Sequence, residues 1–193
     1  MPLFPAFLKV SGRKVVIIGG NTVAAAKVHA LTGAGANVVV IAPVISKTIE
    51  AMNVTCHQKE FEPQDLDDAW LVVAAATPAV NRNVAVAADS RRLFVNAVDD
   101  PPNASLYLGG VVRRAGVTFA ISTDGRAPAL AGLLRQALDE MLPDDQLERW
   151  LREADLLKRE WRTDGVPMHE RRPQLLEALI RLYEPLPQEE PQK

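Results

Sequence analysis

Residues 14–27 read KVVIIGGNTVAAAK, and this stretch decides the fold. The run VVII at 15–18 is β-branched throughout and stops at Gly19-Gly20, as suits a strand buried on both faces. The next segment, TVAAAKVHALTGAG at 22–35, sets Val23, Ala24, Lys27, Val28 and Leu31 at helical spacing and ends at Gly33 and Gly35. Strand, glycine turn and helix then repeat. NVVVIAP (37–43), NVTCHQ (53–58), WLVVAAA (70–76) and LFVNAV (93–98) read as strands, with a helix over 80–92 between the last two. Alternating short apolar runs and helices predict an α/β domain with a Rossmann-like parallel sheet.

The texture changes after PPNAS at 101–105. SLYLGGVV (105–112) and GVTFAIST (116–123), separated by Arg113, Arg114 and Ala115, read as an antiparallel pair. Residues 127–143, APALAGLLRQALDEMLP, form an amphipathic helix with leucines on one side. The tail from Asp144 reads as two helices broken around DGVP, with PLPQEEPQK (185–193) frayed.

Length and charge exclude several classes. The chain of 193 residues, 48% apolar, is long enough for a real core. Its formal net charge of −2 is that of no general polycation, so a coat for nucleic acid or an anionic membrane is not expected. The charge is unevenly spread, however. Between Pro101 and Leu138, Arg113, Arg114, Arg126 and Arg135 face a single acid, Asp124. One cysteine, Cys56, forms no internal disulfide, and a cytoplasmic location is the simplest expectation. No apolar run approaches the ~18 residues needed to span a bilayer, and the first residues read as mature structure.

Two places carry chemistry. A turn between a parallel strand and the next helix aims backbone N–H groups and the positive helix end at one spot, which suits a pyrophosphate. Against the fingerprint G-x-G-x-x-G/A the segment reads Gly19, Gly20, Asn21, Thr22, Val23, Ala24. Asn21 stands where glycine ordinarily lets the backbone approach the phosphates. The second strand ends in Ile41, Ala42 and Pro43 without an acid for the ribose, leaving Pro43 and Val44 to meet it. Gly-Gly-Asn serves equally as a plain strand-to-helix turn. The second place is Asn96-Ala97-Val98-Asp99-Asp100, where a carboxylate at a strand's carboxyl end faces the same crevice. Asp-Asp-Pro-Pro also reads as an Asx-turn. His29, His57 and His169 lack metal-ligand spacing, so no metal site is expected.

Taken together, VVIIGGNTVAAAK, GAGANVVVIAP, WLVVAAATPAVN, FVNAVDD and AIST-x-G-x-x-P-x-L-A-x-x-LR (120–135) closely resemble the precorrin-2 dehydrogenase family. This is the NAD-dependent module of siroheme synthesis, and the resemblance covers about residues 1–143. It implies oxidation of precorrin-2 to sirohydrochlorin with NAD⁺, and in some members insertion of ferrous iron. It implies cofactor contacts at Gly19, Gly20, Asn21, Thr22, Val23, Ala24, Pro43 and Val44, with Asp99 as general base. Arg113, Arg114 and Arg126 are expected to meet the substrate's carboxylates, to which guanidinium forks are suited. The implied layout is a Rossmann domain over 1–103, a hairpin-plus-helix dimerisation segment over 104–143 and a helical C-terminal region over 144–193. A homodimer follows from it. Two alternatives stay open: a sirohydrochlorin chelatase without dehydrogenase activity, and a non-catalytic module that binds a nucleotide or tetrapyrrole.

Overall fold

A computed structural model of the chain describes residues 3–183, so the expected frayed stretch 185–193 lies outside the described residues. Two compact units are present, one built on residues up to Leu108 together with Asp124–Ala127, the other on Gly109–Thr123 and the residues from Pro128 on.

The first unit is a five-stranded parallel sheet. Strands β1 (Lys14–Ile18), β2 (Asn37–Ile41), β3 (Thr55–His57), β4 (Leu71–Ala74) and β5 (Phe94–Ala97) lie in the order β3-β2-β1-β4-β5. The chain order reverses between β1 and β4, and in open α/β sheets ligands bind at the carboxyl ends of the strands beside such a switch point. Helices α1 (Thr22–Gly33), α2 (Lys47–Glu50) and α3 (Pro78–Ser90) connect the strands.

Strand β1 shows why a continuous apolar run was needed. Val15 and Ile17 pack with Ala24, Val28 and Leu31 of α1 and with Val38 and Val40. Val16 and Ile18 point the other way, into a second cluster with Val72, Ala74, Val84 and Ala88. All four β1 residues are essentially inaccessible, and each such side chain contributes roughly 1.5–3 kcal/mol of burial. An alternating polar residue in this strand would have faced a helix rather than water.

The second unit holds β6 (Gly110–Arg114), β7 (Val117–Ile121), α4 (Pro128–Met141), α5 (Asp144–Thr163) and α6 (Met168–Arg181). The antiparallel pair is present, but two details differ from the sequence reading. The first strand starts at Gly110 rather than 105, because the backbone N–H groups of Ser105 and Leu106 donate to the Val95 carbonyl and keep that stretch with the first unit. Arg113 and Arg114 are strand residues, paired with Thr118 and Val117, and the turn is Ala115-Gly116. Both turn residues have positive φ, +46° and +83°, as a two-residue hairpin matched to the strand twist demands. Alanine is the wrong residue for that conformation. Ala115→Asn, which accepts the left-handed region, is expected to raise the unfolding free energy by about 1 kcal/mol in chemical denaturation.

Arg114 fastens this hairpin to the helices. Its guanidinium donates to Asp139 Oδ1 at 3.1 Å and to Asp144 Oδ2 at 3.0 Å, and also to the Asp139 carbonyl. The two tail helices pack on each other, as the Trp161 indole N–H donating to Gln174 at 2.6 Å shows. The break between them is Gly165 at φ +66° followed by Pro167.

Candidate active site

The carboxyl ends of β1, β4 and β5 converge on a cleft of about 350 Å³, lined among others by Asn21, Val23, Ala75, Asn81, Asp99 and Asp100. Each of these residues is put there by a local backbone requirement.

Gly19 follows β1 at φ +131°, and a Cβ on it would lie 2.3 Å from the Ala75 carbonyl oxygen. A Cβ on Gly20 would lie 2.0 Å from the Val44 oxygen. The glycine turn is therefore wedged between the loops that follow β4 and β2. The Gly19 N–H donates to Ile41, and the Gly20 carbonyl accepts from the Ser46 N–H at 2.9 Å. These contacts explain why both positions are glycine without invoking any ligand.

Asn21 caps α1. Its Oδ1 accepts from the Ala24 N–H at 2.9 Å, and its Nδ2 donates to the Ala75 carbonyl at 3.1 Å. The peptide joining Ala75 to Ala76 is held from its other side too, since the Ala76 N–H donates to Asn81 Oδ1 at 3.0 Å. Asn81 is only 2% exposed. Its role was not visible in the sequence, where it is one asparagine in an ordinary helix. The N–H groups of Thr22 and Val23 have no protein acceptor among the described residues. They are the donors that α1 leaves for an anion.

Asp99 lies in the turn that follows β5, in a left-handed conformation, φ +53°. A non-glycine residue there costs energy, and such residues cluster at functional sites. Its neighbour Asp100 is occupied, since Asn103 Nδ2 donates to both of its oxygens at 3.0 and 2.9 Å. Lys27 is the second residue that sequence reasoning did not single out. It lies one helical turn behind Val23, on the same side of α1. Burial pushes its ammonium pKa below the usual lysine value, and the negative charge of Asp99 opposes that shift. Amphipathic spacing alone gave no sign that Lys27 feels the charge of Asp99, because the two come near each other only in the fold.

The remaining candidates are dispersed. Val44, beyond the end of β2, is 75% exposed and offers an apolar surface beside the glycine turn; Pro43 is exposed as well. The Ser46 hydroxyl is buried and has no protein partner among the described residues. Arg126 is exposed in a loop where Asp124 and Gly125 both have positive φ. A Cβ on Gly125 would sit 3.5 Å from the Tyr107 ring, and Tyr107 donates to the Pro101 carbonyl next to Asp100. Arg126 thus belongs to the same unit as Asp99, whereas Arg113 and Arg114 belong to the other. Arg113 is exposed on β6, while Arg114 is engaged by Asp139 and Asp144. Among the described residues no group of three or more His, Cys, Asp or Glu side chains is placed to hold a metal ion. No helix among them is long and apolar enough to cross a membrane.

The donor set fits a dinucleotide. Two free N–H groups at the start of α1 can take a pyrophosphate, and an apolar Val44 and the Ser46 hydroxyl flank the turn on the β2 side. The cleft on the β4–β5 side ends at a carboxylate.

Comparison with known proteins identifies the family and the fold. A family model described as "Putative NAD(P)-binding" matches residues 6–110. A siroheme synthase of Sodalis glossinidius is 38% identical over 148 residues, covering 74% of this chain and 31% of the relative. Siroheme synthase 1 of Yersinia enterocolitica is 39% identical over 152 residues, with 74% and 31% covered. The chain thus spans about a third of the length of these curated relatives. Among solved structures, "SirC, precorrin-2 dehydrogenase" superposes with a TM-score of 0.70 at 21% identity, covering 91% of this chain and 88% of that one. That likeness establishes the shared fold.

Proposed function

The chain belongs to the NAD(P)-binding family matched over residues 6–110, and from that membership we propose that it is an NAD⁺-dependent dehydrogenase converting precorrin-2 to sirohydrochlorin. The observation that carries the proposal is that the Asp99 carboxylate and the first turn of α1 line one cleft at the sheet's switch point. The siroheme synthases and the dehydrogenase of like fold supply the substrate class.

When bound, NAD⁺ supplies the hydride acceptor at its nicotinamide ring. The chain's own residues do the rest. The Thr22 and Val23 N–H groups hold the pyrophosphate at the start of α1, with Gly19, Gly20, Asn21 and Ala24 shaping the turn beneath it. Pro43 and Val44, both exposed beyond β2, would meet the adenosine side. Asp99 accepts the proton that precorrin-2 loses as its hydride leaves, so that precorrin-2 and NAD⁺ become sirohydrochlorin, NADH and a proton. Lys27, whose ammonium pKa is lowered by burial, lies within electrostatic reach of that carboxylate.

The substrate is a polycarboxylate, and Arg126 is the guanidinium best placed for it, on the loop that packs against Tyr107. Arg113 is exposed on β6 of the other unit, and Arg114 serves the hairpin there through Asp139 and Asp144. The second copy in a homodimer would cover the leucines that α4 leaves outside: Leu130, Leu133 and Leu134 are 49%, 63% and 44% exposed. The exposed Cys56 thiol fits a reducing cytoplasm.

Thermal unfolding with added NAD⁺ tests the cofactor half of the proposal. A ligand at 100 times its Kd stabilises by ~2.7 kcal/mol, so a clear upward shift of Tm is expected at saturation. An unchanged Tm at millimolar NAD⁺, with no heat in calorimetric titration, overturns it.

A further inference from the structure

We infer that Asn21 sets the dinucleotide affinity of this chain: its carboxamide occupies a helix N–H that a pyrophosphate would otherwise take, so that cofactor binding works against a turn already closed on itself. The inference rests on the NAD⁺ reading above and concerns the same cleft.

Three observations support it. Asn21 lines the cleft, at the position where the dinucleotide fingerprint calls for a glycine so that backbone and phosphate can approach. Its Oδ1 accepts from the Ala24 N–H at 2.9 Å, and among the described residues the Thr22 and Val23 N–H groups of the first turn have no acceptor. Its Nδ2 at the same time donates to the Ala75 carbonyl, on the peptide that Asn81 holds from the opposite side. One side chain therefore does internally what a bound phosphate does in such turns, and it ties α1 to the end of β4 in doing so. A phosphate landing on this turn either forgoes the Ala24 N–H or displaces the carboxamide from both partners. Either course weakens binding.

The structure gains a preformed cleft floor in exchange. The Ala75-Ala76 peptide is fixed before any ligand arrives, because its carbonyl and its N–H each have a side-chain partner. Asn81 alone holds the peptide when Asn21 is replaced, so variants at position 21 are expected to fold. Glycine is nearly as good a cap as asparagine in any case.

The test compares the whole chain carrying Asn21→Gly, Asn21→Ala or Asn21→Asp with the wild type, using NADH fluorescence titration and amide hydrogen exchange of the unliganded protein. Asn21→Gly frees the Ala24 N–H and removes the side chain, and its Kd for NADH is expected to fall about tenfold, the worth of one charge-assisted hydrogen bond to phosphate. Asn21→Ala frees the N–H but keeps a Cβ, so a smaller gain is expected. Asn21→Asp keeps the cap and adds a negative charge beside the phosphates, so its Kd is expected to rise above that of the wild type. Without ligand, the Ala24 amide is expected to exchange slowly in the wild type and faster in Asn21→Gly.

Wild type and Asn21→Gly binding NADH equally, or the glycine variant binding more weakly, overturns the inference while leaving the NAD⁺ reading intact. An Ala24 amide that exchanges as fast as those of Thr22 and Val23 in the wild type also overturns it. If neither protein binds any dinucleotide, the NAD⁺ reading itself fails and the inference falls with it.

Discussion

Asp99→Asn is expected to slow the formation of NADH from precorrin-2 by at least about 100-fold, the lower end of what a positioned general base contributes. Asparagine is the informative replacement because of the backbone. Asp99 sits at φ +53°, a conformation that asparagine adopts readily and alanine does not, and forcing alanine there costs about 1–2 kcal/mol. Asp99→Ala would mix a lost base with a disturbed strand end. Asp99→Asn removes only the charge and the basicity. NAD⁺ affinity is expected to stay at the wild-type value, since the donors proposed for the pyrophosphate lie on α1. Lys27 loses the charge that opposes its desolvation, so its pKa is expected to fall further. A variant that turns over at the wild-type rate removes Asp99 from the chemistry.

Gly19→Ala is expected to be strongly destabilising, since it adds a backbone clash to an unfavourable backbone conformation. The added Cβ would meet the Ala75 oxygen at 2.3 Å and the Ala75 carbon at 2.7 Å, and φ is +131°. Neither partner is a flexible side-chain tip. Both belong to the peptide that Asn21 and Asn81 clamp, so relief means breaking one of those hydrogen bonds or shifting β4. A loss of roughly 3 kcal/mol or more follows from backbone overpacking, and in a chain of this size Tm falls roughly 2–4 °C per kcal/mol. Gly33→Ala is the matched control. It ends α1 with nothing within 4 Å of an added Cβ, so Tm is expected to hold or rise slightly. A Gly19→Ala protein that melts with the wild type would show that the turn is looser than these contacts require.

The centre of the sheet was legible because β1 and β4 are buried on both faces. Runs such as VVII at 15–18 and VVA at 72–74 leave no other placement for so much branched apolar surface, and parallel pairing follows from the helices between them. The hairpin was legible in kind but not in register. Its turn falls on Ala115-Gly116, and alanine gives no signal for a left-handed turn, whereas the two arginines before it resemble loop residues and are strand. The excess of arginine in that segment also shrank in the fold. Asp139 and Asp144 lie just beyond it in sequence yet engage Arg114 directly. In the site, Asp99 and the glycine turn carried local signals of strand end and turn. The Lys27–Asp99 relation and the clamp of Asn21 and Asn81 on one peptide join elements 54 or more residues apart or hidden in a helix pattern, and no local spacing encodes them.

The proposed hydride transfer from a tetrapyrrole to NAD⁺ within the Asp99 cleft has a direct test. The direct measurement incubates the full chain with NAD⁺ and enzymatically prepared precorrin-2 without oxygen, following NADH absorbance and sirohydrochlorin together. The two products are expected to appear in equal amounts, and Asp99→Asn is expected nearly to abolish both. A wild-type protein that binds NAD⁺ but forms no NADH from precorrin-2 would contradict the proposed transfer.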